Sequence, residues 1–133
     1  MNDHERCQNL IALQNSRLDR FDNTRKIQWN FNGIFWTGII VSVSFFIKEN
    51  IHFDYVKLAS IFIPLLLIHG LTIYLIQQSL GYDKSAVDKY RIRAEAILGL
   101  KADKTTDRKW LWFGIQIGIT SLIFLFSFYI LKA

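Results

Sequence analysis

Between Trp110 and Leu131 the chain reads WLWFGIQIGITSLIFLFSFYIL, 22 residues without a charge, bracketed by Arg108-Lys109 and Lys132. At about 1.5 Å per helical residue, such a run crosses a hydrocarbon core roughly 30 Å thick. A soluble domain of 133 residues needs no such segment. Two further apolar runs precede it, Ile27 to Ile47 and Leu58 to Ile76. The reading is an all-α membrane protein with three transmembrane helices, joined by amphipathic cytoplasmic helices at the N-terminus and between spans two and three.

Hydrophobic residues make up 51% of the chain, and most of them fall in the three spans. No separate soluble core is expected, so residues 1–133 read as a single membrane domain whose polar parts extend the membrane helices. The net charge of +5 could suggest nucleic acid, but its distribution points to a membrane. Five basic residues precede span one (Arg6, Arg17, Arg20, Arg25, Lys26) and eight lie between Gln78 and Lys109, whereas the first inter-span loop has only Lys48 and Lys57. Short loops rich in Lys and Arg stay cytoplasmic. That predicts a multi-pass protein of the cell inner membrane with its N-terminus inside and its C-terminus outside, and no direct contact with nucleic acid. Cys7 is the single cysteine, so no disulfide framework is available, and no cleavable signal peptide is expected.

In the N-terminal segment Cys7, Leu10, Ile11, Leu18 and Phe21 recur on one helical face, which predicts a helix over 4–26 leading into span one. Such a face suits a membrane surface, a neighbouring helix or a partner. Span one, 27–47, pairs small residues four apart, Gly33 with Thr37 and Gly38 with Ser42, a spacing that lets another helix approach closely. Packing within one protomer would account for it. Span two, 58–76, holds Pro64, the chain's only proline, at which a kink is expected. Beyond it, Ser85 as N-cap and Gly99 as stop bound a predicted helix over 85–98. Thr106 or Asp107 could cap span three.

His69 is the ionisable residue inside a span, a position that is costly and often functional. By helical rise it lies about 12 Å from the cytoplasmic boundary, Gln116 about 9 Å, and Thr120 and Thr37 about 15 Å. These four residues are therefore candidates for an intramembrane polar cluster. It could serve as a hydrogen-bonded packing core, a channel lining or, less naturally for a lone histidine, a haem or metal ligand. All eleven Asp and Glu lie outside the spans, which argues against proton-coupled transport. No glycine-rich phosphate loop, metal-ligand spacing or nucleophile-base pair appears, so neither enzymatic activity nor a cofactor is expected. Gly114 and Gly118 form GxxxG with Ser121 continuing the face, which predicts close helix crossing or a homo-oligomer. Tyr90, Arg91, Arg93 and Glu95 form a candidate cytoplasmic docking surface, supported by an Arg91-Glu95 pair at i,i+4.

The outline of an N-terminal helix, a tight outer hairpin, a basic helix with Tyr90-Arg91, Glu95 and Leu98-Gly99-Leu100, then another span resembles small bacterial membrane proteins of anti-phage and nucleotide-signalling systems, including SLATT-type effectors. SLATT-type proteins generally have two spans, so the third is a departure. The resemblance implies an effector that oligomerises and perturbs the inner membrane when a cytoplasmic sensor signals. The layout is also similar to immunity proteins against pore-forming bacteriocins, which conduct nothing, and is compatible with a membrane anchor or assembly subunit. The charge distribution yields the first test. A reporter active only outside the cytoplasm should be active when fused at the C-terminus, and one active only inside should be silent there.

Overall fold

The computed structural model of the chain describes residues 1–101 and 108–132, and three helices account for nearly all of them. The first, α1 (Asp3–Lys48), starts with a reciprocal cap. Asn2 Oδ1 accepts the Glu5 N–H at 2.8 Å, and Glu5 Oε2 accepts the Asn2 N–H at 3.0 Å. Two donors at the helix start are thereby satisfied without water. Just beyond its end Asn50, with a φ of 53°, turns the chain left-handed. The Ile51 N–H then reaches Phe46 O at 2.9 Å and the Asn50 N–H reaches Ile47 O at 3.1 Å, closing off carbonyls that the helix leaves open.

The second helix, α2 (Tyr55–Ile97), is capped by Asp54 Oδ1, which accepts the Lys57 N–H at 2.9 Å. It runs through Pro64 and ends in the same closing pattern as α1, with Gly99 at φ 72°, Leu100 N–H to Glu95 O at 2.9 Å and Gly99 N–H to Ala96 O at 3.1 Å. The third, α3 (Lys109–Leu131), is the run that opened the sequence reading. Each of the three contains a stretch long and apolar enough to cross a membrane.

One expected boundary is corrected. The N-terminal helix runs without a break into the first apolar run, in keeping with a helix that leads into span one, but 85–98 is not a helix of its own, because α2 is unbroken through it. Ser85 is consequently mid-helix and caps nothing. A change from apolar to polar sequence changes the surroundings a helix suits, not its backbone, and Gly81 alone costs only about 1 kcal/mol in a helix interior. The proposed caps Thr106 and Asp107 lie outside the described residues.

The chain gathers into two compact units. One comprises Met1–Ile27 and Ile76–Lys109, and there α1 and α2 run antiparallel. Cys7, Leu10, Gln14, Arg17, Phe21 and Thr24 turn inward at alternating spacings of three and four, the seam of a coiled coil. The expected apolar face is thus only partly right: Ile11 and Leu18 are exposed, and Arg17 faces in. Its reason for doing so is Asp83, a buried carboxylate of α2 held by Arg17 Nη1 at 3.3 Å and Arg20 Nε at 3.4 Å.

The other unit comprises Gln28–Leu75 and Trp110–Ala133, where all three helices contribute. Near the turn between α1 and α2, Val43, Leu58 and Leu131 form a buried cluster packed by Phe46, Phe53, Phe62 and Phe128. The Phe53 N–H donates to Leu131 O at 3.1 Å, so the turn satisfies a carbonyl at the end of α3. The fully buried positions around Asn32, His69, Gln116 and Thr120 are polar, while Ile34, Leu67, Ile68, Leu122 and Phe126 point outward. Hydrocarbon surroundings favour this inside-out distribution.

The Asp83 contact predicts an asymmetry. Replacing Arg17 and Arg20 together by Leu strands a buried carboxylate and should cost about 3 kcal/mol or more. Asp83→Ala should cost only about 1 kcal/mol, because arginine side chains already 42% and 63% exposed return to water. Hydrogen exchange of α1 amides before Ile27 in detergent micelles would measure both, and equal losses would contradict this account.

Candidate functional site

Five side chains meet inside the three-helix unit. Asn32 and Trp36 lie one turn apart on α1, His69 comes from α2, and Gln116 and Thr120 lie one turn apart on α3. Spacing of four residues puts each pair on one helical face. Asn32, His69 and Thr120 are wholly buried, and Gln116 is nearly so.

Asn32 Nδ2 donates to Gln116 Oε1, and Gln116 Nε2 donates to the Trp112 carbonyl at 3.1 Å. One turn further, Thr120 Oγ1 accepts the Trp36 indole N–H at 2.8 Å, lies 3.0 Å from His69 Nε2 and donates to the Gln116 carbonyl at 3.0 Å. A hydroxyl has one proton and two lone pairs. With the proton on the Gln116 carbonyl and one lone pair on Trp36, the second lone pair accepts from His69 Nε2–H. That geometry selects the imidazole tautomer protonated at Nε2. His69 Nδ1 and Asn32 Oδ1 have no hydrogen-bond partner among the described residues.

Aromatic rings fix the imidazole plane. Phe35 stacks on His69 with centroids 4.1 Å apart and planes 15° apart, and Phe31 lies at 5.6 Å and 12°. Phe35 in turn meets Phe124, which stacks on Phe62 at 5.1 Å. The polar cluster therefore ends against an aromatic layer. Chemically it holds three helices in one register with uncharged groups. It presents a weak base but no nucleophile, and no group of three metal-ligating side chains stands together among the described residues.

Of the four residues expected to cluster, His69, Gln116 and Thr120 are together, and Thr37 is not. Thr37 is exposed, because it follows the inward-facing Trp36 by one residue and so points about 100° away around the helix. Asn32 and Trp36 take the α1 position instead. An asparagine amid an apolar run was the signal for this, since its amide must find partners once water is excluded.

The small-residue faces stand elsewhere. Among the described residues, and setting aside the chain neighbours and the helix's own backbone, no atom lies within 4 Å of where a Cβ would sit on Gly33, Gly38, Gly114 or Gly118. Packing within one protomer therefore does not explain them. Gly70, not singled out from sequence, does face a neighbour, with Ile117 Cδ1 3.7 Å from its Cβ position. Ser121 is half-buried and lines a shallow apolar groove with Ala59, Phe62 and Phe124. Nearby hydroxyls bond back to their own helices, as in Ser42 to Gly38 O and Thr72 to Ile68 O, both at 2.8 Å.

In the two-helix unit, the expected docking residues divide. Arg91 pairs along its own helix with Glu95 at 3.4 Å and Asp88 at 3.9 Å. Tyr90 is half-buried, whereas Arg93 is exposed and has no carboxylate partner among the described residues. Asp83, the buried acid that matters most there, was not singled out.

Thr120 gives this site its test. Thr120→Val keeps shape but strips partners from His69 and Trp36, and should destabilise the helical unit by about 1–2 kcal/mol in detergent unfolding. Thr120→Ser should recover most of that loss, and equal behaviour of both variants would show the hydroxyl to be idle. Compared with known proteins, the chain matches no family model, no curated protein and no solved structure.

Proposed function

We propose that this chain is a small inner-membrane protein that self-associates through its glycine faces and, once assembled, perturbs or permeabilises the bilayer as an effector in a bacterial defence or conflict system. The observation carrying this reading is the open space at Gly33, Gly38, Gly114 and Gly118. Between helices in lipid, where no hydrophobic effect drives association, close backbone approach at small residues is a principal source of attraction. Four such positions, unused by the chain's own packing, suit a second copy. In this reading the N-terminus and the polar part of α2 are cytoplasmic, α3 ends outside, and a cytoplasmic sensor acts on the two-helix unit.

The three-helix unit favours conduction between protomers over conduction through one. Its centre is filled by hydrogen-bonded side chains and backed by the Phe35, Phe62 and Phe124 layer. The same filled centre supports a second reading, a non-conducting immunity protein or membrane anchor.

Gly114→Leu with Gly118→Leu should abolish self-association, read by crosslinking in membranes, and abolish the loss of membrane potential on overexpression of the wild-type chain. Wild-type expression that leaves the potential unchanged would remove the effector reading and favour the non-conducting one.

A further inference from the structure

The two-helix unit has too little core to stand by itself. Its buried apolar side chains among the described residues are Cys7, Leu80 and Ala94. Much of the seam is polar: Gln14, Arg17 and Thr24 from α1 face in, and so does Asp83 from α2. An antiparallel helix pair buries each apolar stripe only on one side, and a third helix laid along the pair is the usual completion. Near the start of α1 and the end of α2 such a place is open among the described residues. A groove of about 480 Å³ is lined there by Leu10, Leu13, Ala96 and Ile97, and by Arg6 and Arg93.

Charge decides what fits. The unit carries thirteen basic and nine acidic side chains, a net charge of +4. A second copy of the same unit would bring like charge to like, which disfavours self-pairing here. The arginines differ in how they are used. Arg91 is consumed by Asp88 and Glu95 on its own helix, and Arg17 and Arg20 by Asp83. Arg93 has no carboxylate partner among the described residues, and Arg6 has only an exposed contact with Asp3 at 4.0 Å. Arg6 and Arg93 both line the groove, and neither is tied to a buried carboxylate.

We infer that this groove receives an amphipathic helix of a partner protein, with an apolar stripe seated on Leu10, Leu13, Ala96 and Ile97 and carboxylates reaching Arg6 and Arg93. This is a helix-in-groove surface whose flanking charges set the partner's sign. It goes beyond association in the membrane and does not depend on it.

The test uses the full chain in nanodiscs of zwitterionic lipid and three labelled synthetic helices, each about five turns long. The first has a leucine stripe flanked by glutamates, the second the same stripe flanked by lysines, and the third the glutamates with serine replacing leucine. The first should bind about tenfold or more tighter than either other, the size expected for charge-assisted contacts over an apolar seat. Arg6→Glu with Arg93→Glu should invert the preference towards the lysine peptide while helicity by circular dichroism is unchanged. The Gly114→Leu, Gly118→Leu chain should still bind the first peptide, which separates this inference from self-association. Equal binding of the serine peptide would reduce the surface to bulk charge and overturn the proposal. So would indifference to the arginine reversal, or displacement of the peptide by vesicles of phosphatidylglycerol, which would assign the groove to anionic lipid.

Discussion

Thr120 Oγ1 is where hydrogen bonds from all three helices converge: the Trp36 indole of α1, the His69 imidazole of α2 and the Gln116 carbonyl of α3. In water such a hub would be dispensable, because apolar burial would hold the helices together. For helices long and apolar enough to cross a membrane, hydrocarbon would remove that driving force and leave packing and hydrogen bonds to choose the register. The placement of the other residues follows from this. The helix faces turned towards Thr120 carry Asn32, His69 and Gln116, and the faces turned away carry Ile34, Leu67 and Leu122.

The two units show one chain adapted to two kinds of core. In the three-helix unit the centre is neutral and polar, made of amides, a hydroxyl, an indole and an imidazole. In the two-helix unit it is ionic, with Asp83 between two arginines. An ion pair needs water or several strong partners near its ends, and the half-exposed side chains of Arg17 and Arg20 have that water. Neutral groups need only each other.

The spans were legible because hydrophobic length is the strongest signal a sequence carries, and helical rise sufficed to bring His69, Gln116 and Thr120 to similar depth. Depth, however, says nothing about direction around the helix, and that is why Thr37 was misplaced and Trp36 overlooked. The helix boundary at 85 was drawn from Ser85 as an N-cap, and a capping residue type inside a continuous helix stops nothing. Asp83 escaped notice for a related reason. A lone acid in a charged stretch looks solvated until the seam of its helix is known, and the seam was hidden by the assumed break. Gly99, by contrast, was legible as a stop because its backbone conformation is one that few other residues adopt.

The turn between α1 and α2 is fastened to the end of α3 by a backbone hydrogen bond, Phe53 N–H to Leu131 O. Any residue but proline can supply that donor, and any residue at all the acceptor. The hydrogen bond itself is therefore blind to side-chain identity, but the turn is not: the Phe53 ring packs on the Val43, Leu58 and Leu131 cluster and Asp54 caps α2. Mutational drift in charge and size is thereby channelled to the exposed side chains around them, such as Glu49 and His52, while the three helix ends stay joined.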